Sequence, residues 1–156
     1  MRILGLDPSS QAIGVALVRD ASIECWTVNL KDCKGDLRKV AVALEERLLS
    51  RVGMELDVVA IERPYVKFPH AAMVIGKVVG LLIMTFRECP IQAEYSIAQA
   101  RKSVMGSGKA DKEELMEFLR RAYYSVENEH EAAALACALA AKKELDILAE
   151  QAQRWR

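Results

Sequence analysis

Hydrophobic positions along this chain change their period, and the changes mark out its elements. Residues 2–7, 12–19 and 22–29 are compact apolar runs broken by Pro8-Ser9-Ser10-Gln11 and by Asp20-Ala21. Turns that short predict an antiparallel meander of three strands. Over 36–51 the apolar residues Leu37, Val40, Ala41, Leu44, Leu48 and Leu49 fall at helical spacing, with Gly53 close to the expected end. Val58 to Ile61 is a short, continuous apolar run, which after a helical crossover reads as a buried strand parallel to the first. A long apolar helix over 70–87 and a strand over 90–95 follow. A short helix over 97–104, a glycine-bearing loop, a helix over 111–123 and a last helix from about 129 to 150 complete the pattern. The expected class is α/β, a five-stranded mixed sheet with three antiparallel strands and then parallel ones, flanked by helices. Residues 1–150 are expected to form one domain, and 151–156, with Trp155 between Arg154 and Arg156, a C-terminal tail.

Two of these strands end in an acid. Asp7 closes Ile3-Leu4-Gly5-Leu6, and Glu62 closes Val58-Val59-Ala60-Ile61. An unpaired carboxylate is too costly to bury as an ordinary core residue. Paired acids at the C-terminal ends of neighbouring strands are where a sheet would place oxygen ligands for a divalent metal, which is the start of a nuclease reading. The plainer readings are a turn-forming Asp before Pro8 and a strand-end Glu paired with Arg63 or solvent.

Composition narrows this without deciding it. The chain is 52% hydrophobic and 28% charged, as an ordinary globular domain is. Its 22 basic and 22 acidic side chains cancel, so nucleic acid would be held in a local basic groove and not over the whole surface. Cys25, Cys33, Cys89 and Cys137 are scattered without a CxxC pair, so reduced, mostly buried thiols are expected and a zinc site is not. The apolar stretch 71–86 is interrupted by Lys77 and is too short to span a bilayer comfortably. With the first strand starting almost at Met1, no signal peptide is expected, and the location expected is cytoplasmic.

Four stretches resemble the RuvC family of Holliday junction resolvases, and the resemblance runs over nearly the whole chain. Ile3-Leu4-Gly5-Leu6-Asp7-Pro8-Ser9 followed by Gly14 is similar to the family's first strand and its metal-binding aspartate. Val59-Ala60-Ile61-Glu62, with Tyr65 after it, resembles the segment carrying the second acid and an aromatic that enters the junction. Residues 100–112 are similar to the family's basic DNA-contacting loop, with Arg101 and Lys112 at its basic positions, and with Lys102 and Lys109 between them. His130-Glu131-Ala132-Ala133-Ala134-Leu135-Ala136 resembles the start of the last helix, where the remaining metal ligands lie three residues apart.

The resemblance implies an RNase H-like fold. It implies a crossover junction endodeoxyribonuclease that binds four-way DNA as a two-fold homodimer and nicks two strands symmetrically, using Mg²⁺ or, as a substitute, Mn²⁺. A branch-migration motor is an implied further partner, and a membrane is not. Two-metal hydrolysis needs oxygen ligands that hold the ions about 4 Å apart. Asp7 would bridge, Glu62 would bind one ion, and His130 would act as ligand or proton carrier. The basic loop also reads as a solvated turn before a helix, with Ser107 or Asp111 as its cap. Alternatively, Gly106 and Gly108 would let its amides approach phosphates. Tyr65, or its neighbour Phe68, reads either as a base-stacking side chain or as an ordinary loop aromatic. The pair Gly76 and Gly80 permits close helix contact at a dimer interface, or the helix carrying it simply packs on the sheet.

One position departs from the family. Ala133 stands where the pattern has an aspartate, and a methyl group neither binds a cation nor carries a proton. The implied fourth catalytic position is therefore empty of chemistry, whether by a deliberate inactivating substitution or as a natural variant. Helical geometry turns Glu131 away from His130, toward solvent, and puts Glu127 one turn earlier on the same face if the helix already runs there. A non-catalytic branched-DNA-binding protein of the same fold is thus the alternative function. An actin-like phosphate-binding domain would need a second lobe for which 156 residues leave no room.

Overall fold

A computed structural model describes residues 1–20, 22–64, 69–123 and 126–154. Strand β1 (Arg2–Pro8) pairs antiparallel with β2 (Ala12–Arg19), and β2 pairs antiparallel with β3 (Ser22–Asn29). On the other side of β1, strand β4 (Val58–Glu62) runs parallel to it, and β5 (Ile91–Tyr95) runs parallel to β4. The sheet order is β3-β2-β1-β4-β5, the expected mixed sheet. Ser9 closes the first turn, its hydroxyl and its N–H both donating to the Ala12 carbonyl at 2.8 Å.

Helix α1 (Leu37–Leu44) starts at Asp36, whose carboxylate accepts from the Arg38 and Lys39 amides. It widens through a π turn (Glu45–Leu49), where a regular helix was expected, and ends in α2 (Ser50–Val52) before Gly53. Helix α3 (Pro69–Thr85) meets the core through Val78 and Leu82, continued by Phe86, while Gly76 and Gly80 face outward with open space beside them. Both alternatives for this helix therefore keep a face: one packs on the sheet, and among the described residues nothing covers the glycine-bearing one. Helix α4 (Ile97–Met105) begins at Ser96 in a capping box with Gln99. Helix α5 (Lys112–Tyr123) begins at Asp111, which exchanges hydrogen bonds with Glu114.

The last helix, α6 (Glu129–Arg154), is longer than expected and includes residues 151–154, which the sequence left as tail. Strand alternation splits the core in two. Leu4, Leu6, Val15, Leu17, Val59 and Ile61 face α1 and α3. Ile3, Ala16, Val18, Val58 and Ala60 face α6, which α4 and α5 cover on its outer side. Enclosed on both sides, α6 is buried nearly all round from Ala132 to Ala138, which is why its sequence there is alanine-rich and shows no polar face. Cys33 and Cys137 are buried, and Cys25 and Cys89 partly so, as expected of scattered thiols. Among the described residues no helix is long and apolar enough to cross a membrane.

Candidate active site

The site forms where β1 and β4 leave the sheet together. Leu6 pairs with Ile61, so the next residues, Asp7 and Glu62, emerge side by side at the C-terminal ends of two parallel strands. Both continue the alternation that faces α6. Helix α6 reaches them because the sheet opposite it is bare at two points. A β-carbon on Gly14, the β2 partner of Asp7, would lie 2.0 Å from the His130 carbonyl oxygen. One on Gly5 would lie 2.0 Å from the Ala134 carbonyl oxygen. Only glycine admits a helix backbone this close, and the approach sets His130 beside Asp7.

The His130 Nδ1 and Asp7 Oδ2 are 2.6 Å apart, with 32% and 15% of the two side chains exposed. An ionised carboxylate only accepts, so the proton of this bond sits on Nδ1. The bond to Asp7 raises the His130 pKa, against the opposing effect of burial. Glu62 is pushed up to about 8, first by burial and then by the neighbouring Asp7 charge, with Arg101, Lys112 and His130 pulling the other way. Its Oε2 is shut off from solvent and has no hydrogen-bond partner among the described residues, and the same holds for Arg101 Nε. Buried polar atoms without partners are uncommon, and a carboxylate oxygen of this kind is a suitable ligand atom for a hard cation.

These groups line one cleft of about 350 Å³, together with Ile97, Leu115, Glu129 and Ala133. The structure thus brings together Asp7, Glu62, His130, Ala133, Arg101 and Lys112 from four separate stretches of chain. Arg101 is tied down by donating to the Ala110 carbonyl at 2.6 Å. Lys112 donates to Glu129 at 2.9 Å, which lowers the Glu129 pKa. Lys102 and Lys109 do not line the cleft. Lys102 is exposed, and Lys109 borders a separate groove of about 560 Å³ with Phe118 and Arg121. Gly106 ends α4 in the left-handed region, φ 78°, and Gly108 packs against the Ala98 carbonyl, so both glycines have structural roles in the loop. Asp111, not Ser107, caps α5. Tyr65 and Phe68 lie outside the described residues.

Three acids at the start of α6 differ from the sequence reading. Glu131 does not face solvent: it is 3% exposed and accepts from Thr27 Oγ1 and Asn128 Nδ2 at 2.9 Å, and from the Glu127 amide. The turn that precedes the helix places Asn128 on this side, where β3 presents Thr27, and Asn128 caps the helix by accepting from the Glu131 amide at 3.1 Å. Glu127 is exposed and precedes the helix, which begins only at Glu129, so it is not on the His130 face. Glu129, which is not among the residues expected at the site, lines the cleft. Its signal was present in the spacing, since it lies one helical turn before Ala133. As the side chains stand, with His130 on Asp7 and Glu129 on Lys112, no three His, Cys, Asp or Glu among the described residues converge enough to hold one ion.

A family model described as "Crossover junction endodeoxyribonuclease RuvC" matches residues 3–142. The RuvC endodeoxyribonuclease of Pseudomonas putida (strain W619) is 32% identical over 124 residues, 73% of this chain and 69% of that protein. That of Azoarcus sp. (strain BH72) is 29% identical over 149 residues, 88% of this chain and 80% of that protein. Among solved structures, Thermus thermophilus RuvC in complex with a Holliday junction substrate superposes with a TM-score of 0.70 at 23% identity, covering 90% of this chain and 92% of that one. That likeness is one of fold, and it is the RNase H-like fold.

Proposed function

This chain is a member of the RuvC family of crossover junction endodeoxyribonucleases, and from that membership we propose that it binds four-way DNA junctions as a two-fold dimer and nicks two strands symmetrically by metal-dependent hydrolysis. The observation that carries the reading is the cleft itself. Two strand-end carboxylates, Asp7 and Glu62, share it with His130 and with two cationic groups, Arg101 and Lys112. The residues suit a divalent cation in kind. Asp7 and Glu62 offer hard oxygen donors, and Glu62 Oε2 is a buried oxygen without a partner among the described residues. Asp7, Glu62 and His130 would hold Mg²⁺ or Mn²⁺, which when bound polarises the phosphate and makes water a stronger nucleophile.

The chain's own groups set up the rest. Arg101 and Lys112 partly offset the effect of burial and of Asp7 on Glu62, and they offer positive charge to a phosphate at the mouth of the cleft. His130 holds a proton at Nδ1 against Asp7, which fixes its ring and leaves Nε2 for ligation or proton transfer. The free face of α3, with Gly76, Gly80, Met73 and Met84 exposed, suits a second copy placed by a two-fold axis. The substrate would be met in the cytoplasm.

A second reading has its own observation. Ala133 lines the cleft and supplies no ligand, so a junction-binding protein without cutting activity keeps every other contact. A nicking assay on a synthetic four-way junction with Mg²⁺ and Mn²⁺, on this chain and on Ala133→Asp, separates the two. Symmetric nicks from both proteins support the nuclease. Nicks from the Asp variant alone support the binding protein. Neither nicking nor preference for junction over duplex would sink both.

A further inference from the structure

We propose that Glu129 supplies the carboxylate that position 133 lacks, so that the divalent cation of the cleft is held by Asp7, Glu62 and Glu129 with His130 beside them. This rests on the metal-dependent reading above and concerns only which side chain completes the site. Ala133 is 7% exposed and lines the cleft, but its methyl group offers a cation no donor atom. Glu129 lies four residues earlier, only about 40° around the helix axis, on the same face. Glu129, His130 and Ala133 all line the cleft, as that face requires.

The other acids near the start of α6 are unsuited. Glu131 is buried and committed to Thr27, Asn128 and the Glu127 amide, and Glu127 is exposed ahead of the helix. Glu129 already holds a cation, the Lys112 ammonium, at 2.9 Å. The same ammonium acts on Glu62, so it marks a place where positive charge is favoured by both carboxylates. With 63% and 51% of their side chains exposed, Lys112 and Glu129 form a pair that adds little to stability. Releasing it toward a doubly charged ion costs little. Glu62 Oε2, which has no hydrogen-bond partner among the described residues, offers the same cleft a further ligand oxygen.

The test is Mn²⁺ binding to the full chain by isothermal titration calorimetry, which needs no cutting activity. Glu129→Gln is expected to weaken Mn²⁺ by at least about tenfold, since even an outer-shell partner typically costs that much. The same loss is expected in a Lys112→Met background, and adding Ala133→Asp to Glu129→Gln restores affinity. Unchanged affinity in Glu129→Gln overturns the proposal. So does a loss that vanishes in the Lys112→Met background, because Glu129 would then act only by neutralising Lys112. Asp7→Asn distinguishes the two levels. If it abolishes binding while Glu129→Gln does not, only the assignment of Glu129 fails. If the unmutated chain binds no Mn²⁺, or Asp7→Asn leaves binding intact, the metal-dependent reading fails with it. Lys112 and Glu129 are exposed, and matching thermal transitions confirm that each variant is folded.

Discussion

On one face of the sheet Leu44, Leu48, Leu82 and Phe86 fill the space beneath α1 and α3 with large side chains. On the other face α6 brings alanines and its own carbonyls directly against Gly5 and Gly14. The first face buries apolar area, and many combinations of side chains of similar volume would do that. The second leaves no space to redistribute, so it fixes where the helix lies to within a fraction of a side chain. Chemistry sits on the second face. His130 meets Asp7 because a backbone contact, not a flexible side chain, sets the distance. Mere burial stabilises a fold, whereas close backbone approach positions a site.

The largest effect expected from breaking this contrast is at Gly14. In Gly14→Ala the new methyl would stand 2.0 Å from a helix carbonyl that cannot rotate away. The expected loss exceeds about 3 kcal/mol, the upper end of ordinary overpacking, and urea unfolding measures it. An unchanged midpoint would show that α6 can slide, and that the approach is not what places His130.

On the opposite face, Leu82→Ala removes a fully buried side chain from α3. The expected loss is roughly 2–3 kcal/mol, the lower part of the Leu→Ala range, because the outward side of α3 is open and lets the helix settle. Junction affinity and Mn²⁺ binding are expected to stay at the wild-type level at a temperature where the variant is folded. Weakened binding would mean that the two faces are not independent.

The smallest effect concerns Glu62 in metal-free protein. Its pKa is raised from 4.5 to about 8 in the folded state, so its contribution to stability is complete below the unfolded value and is lost as pH climbs through the folded one. Glu62→Gln mimics the protonated form. Thermal unfolding of the two proteins should coincide at about pH 4 and below, with the variant a few degrees more stable by about pH 9. Saturating Mg²⁺ should close that gap by stabilising the unmutated chain. Parallel curves at all pH values would mean that Glu62 is not strained by burial and by Asp7.

Much of the architecture was legible in the chain. The three-strand meander, the parallel β4 and β5 and the α-helices of the described residues appear where the apolar period placed them, with ends shifted by a few residues. These signals are local: a run of β-branched residues bounded by turn formers, or a 3.6-residue repeat, carries its own geometry. Asp7 and Glu62 were legible for a related reason, since an acid that ends an apolar strand has few places to go. The π turn at Glu45–Leu49 left no such mark, and neither did the continuation of α6 to Arg154. Of the four basic loop residues only Arg101 and Lys112 reach the cleft, because α4 and α5 leave the loop at its two ends while Lys102 and Lys109 point elsewhere.

The acids beside His130 show where sequence reading stopped. Counting around a helix gives relative directions only. It says that Glu129 and Ala133 share a face and that Glu131 does not, but not which face meets the sheet or at which residue the helix begins. Asn128 decides the start by capping, and Gly5 and Gly14 decide the rotation by admitting the backbone on one side. With those settled, Glu131 turns inward to Thr27 and Glu129 stands at the rim of the cleft. Periodicity and residue chemistry were therefore enough for the elements and the two strand-end carboxylates. The company those carboxylates keep was decided by the packing of α6 on β1 and β2, because contacts between residues more than a hundred positions apart leave no local pattern in the chain.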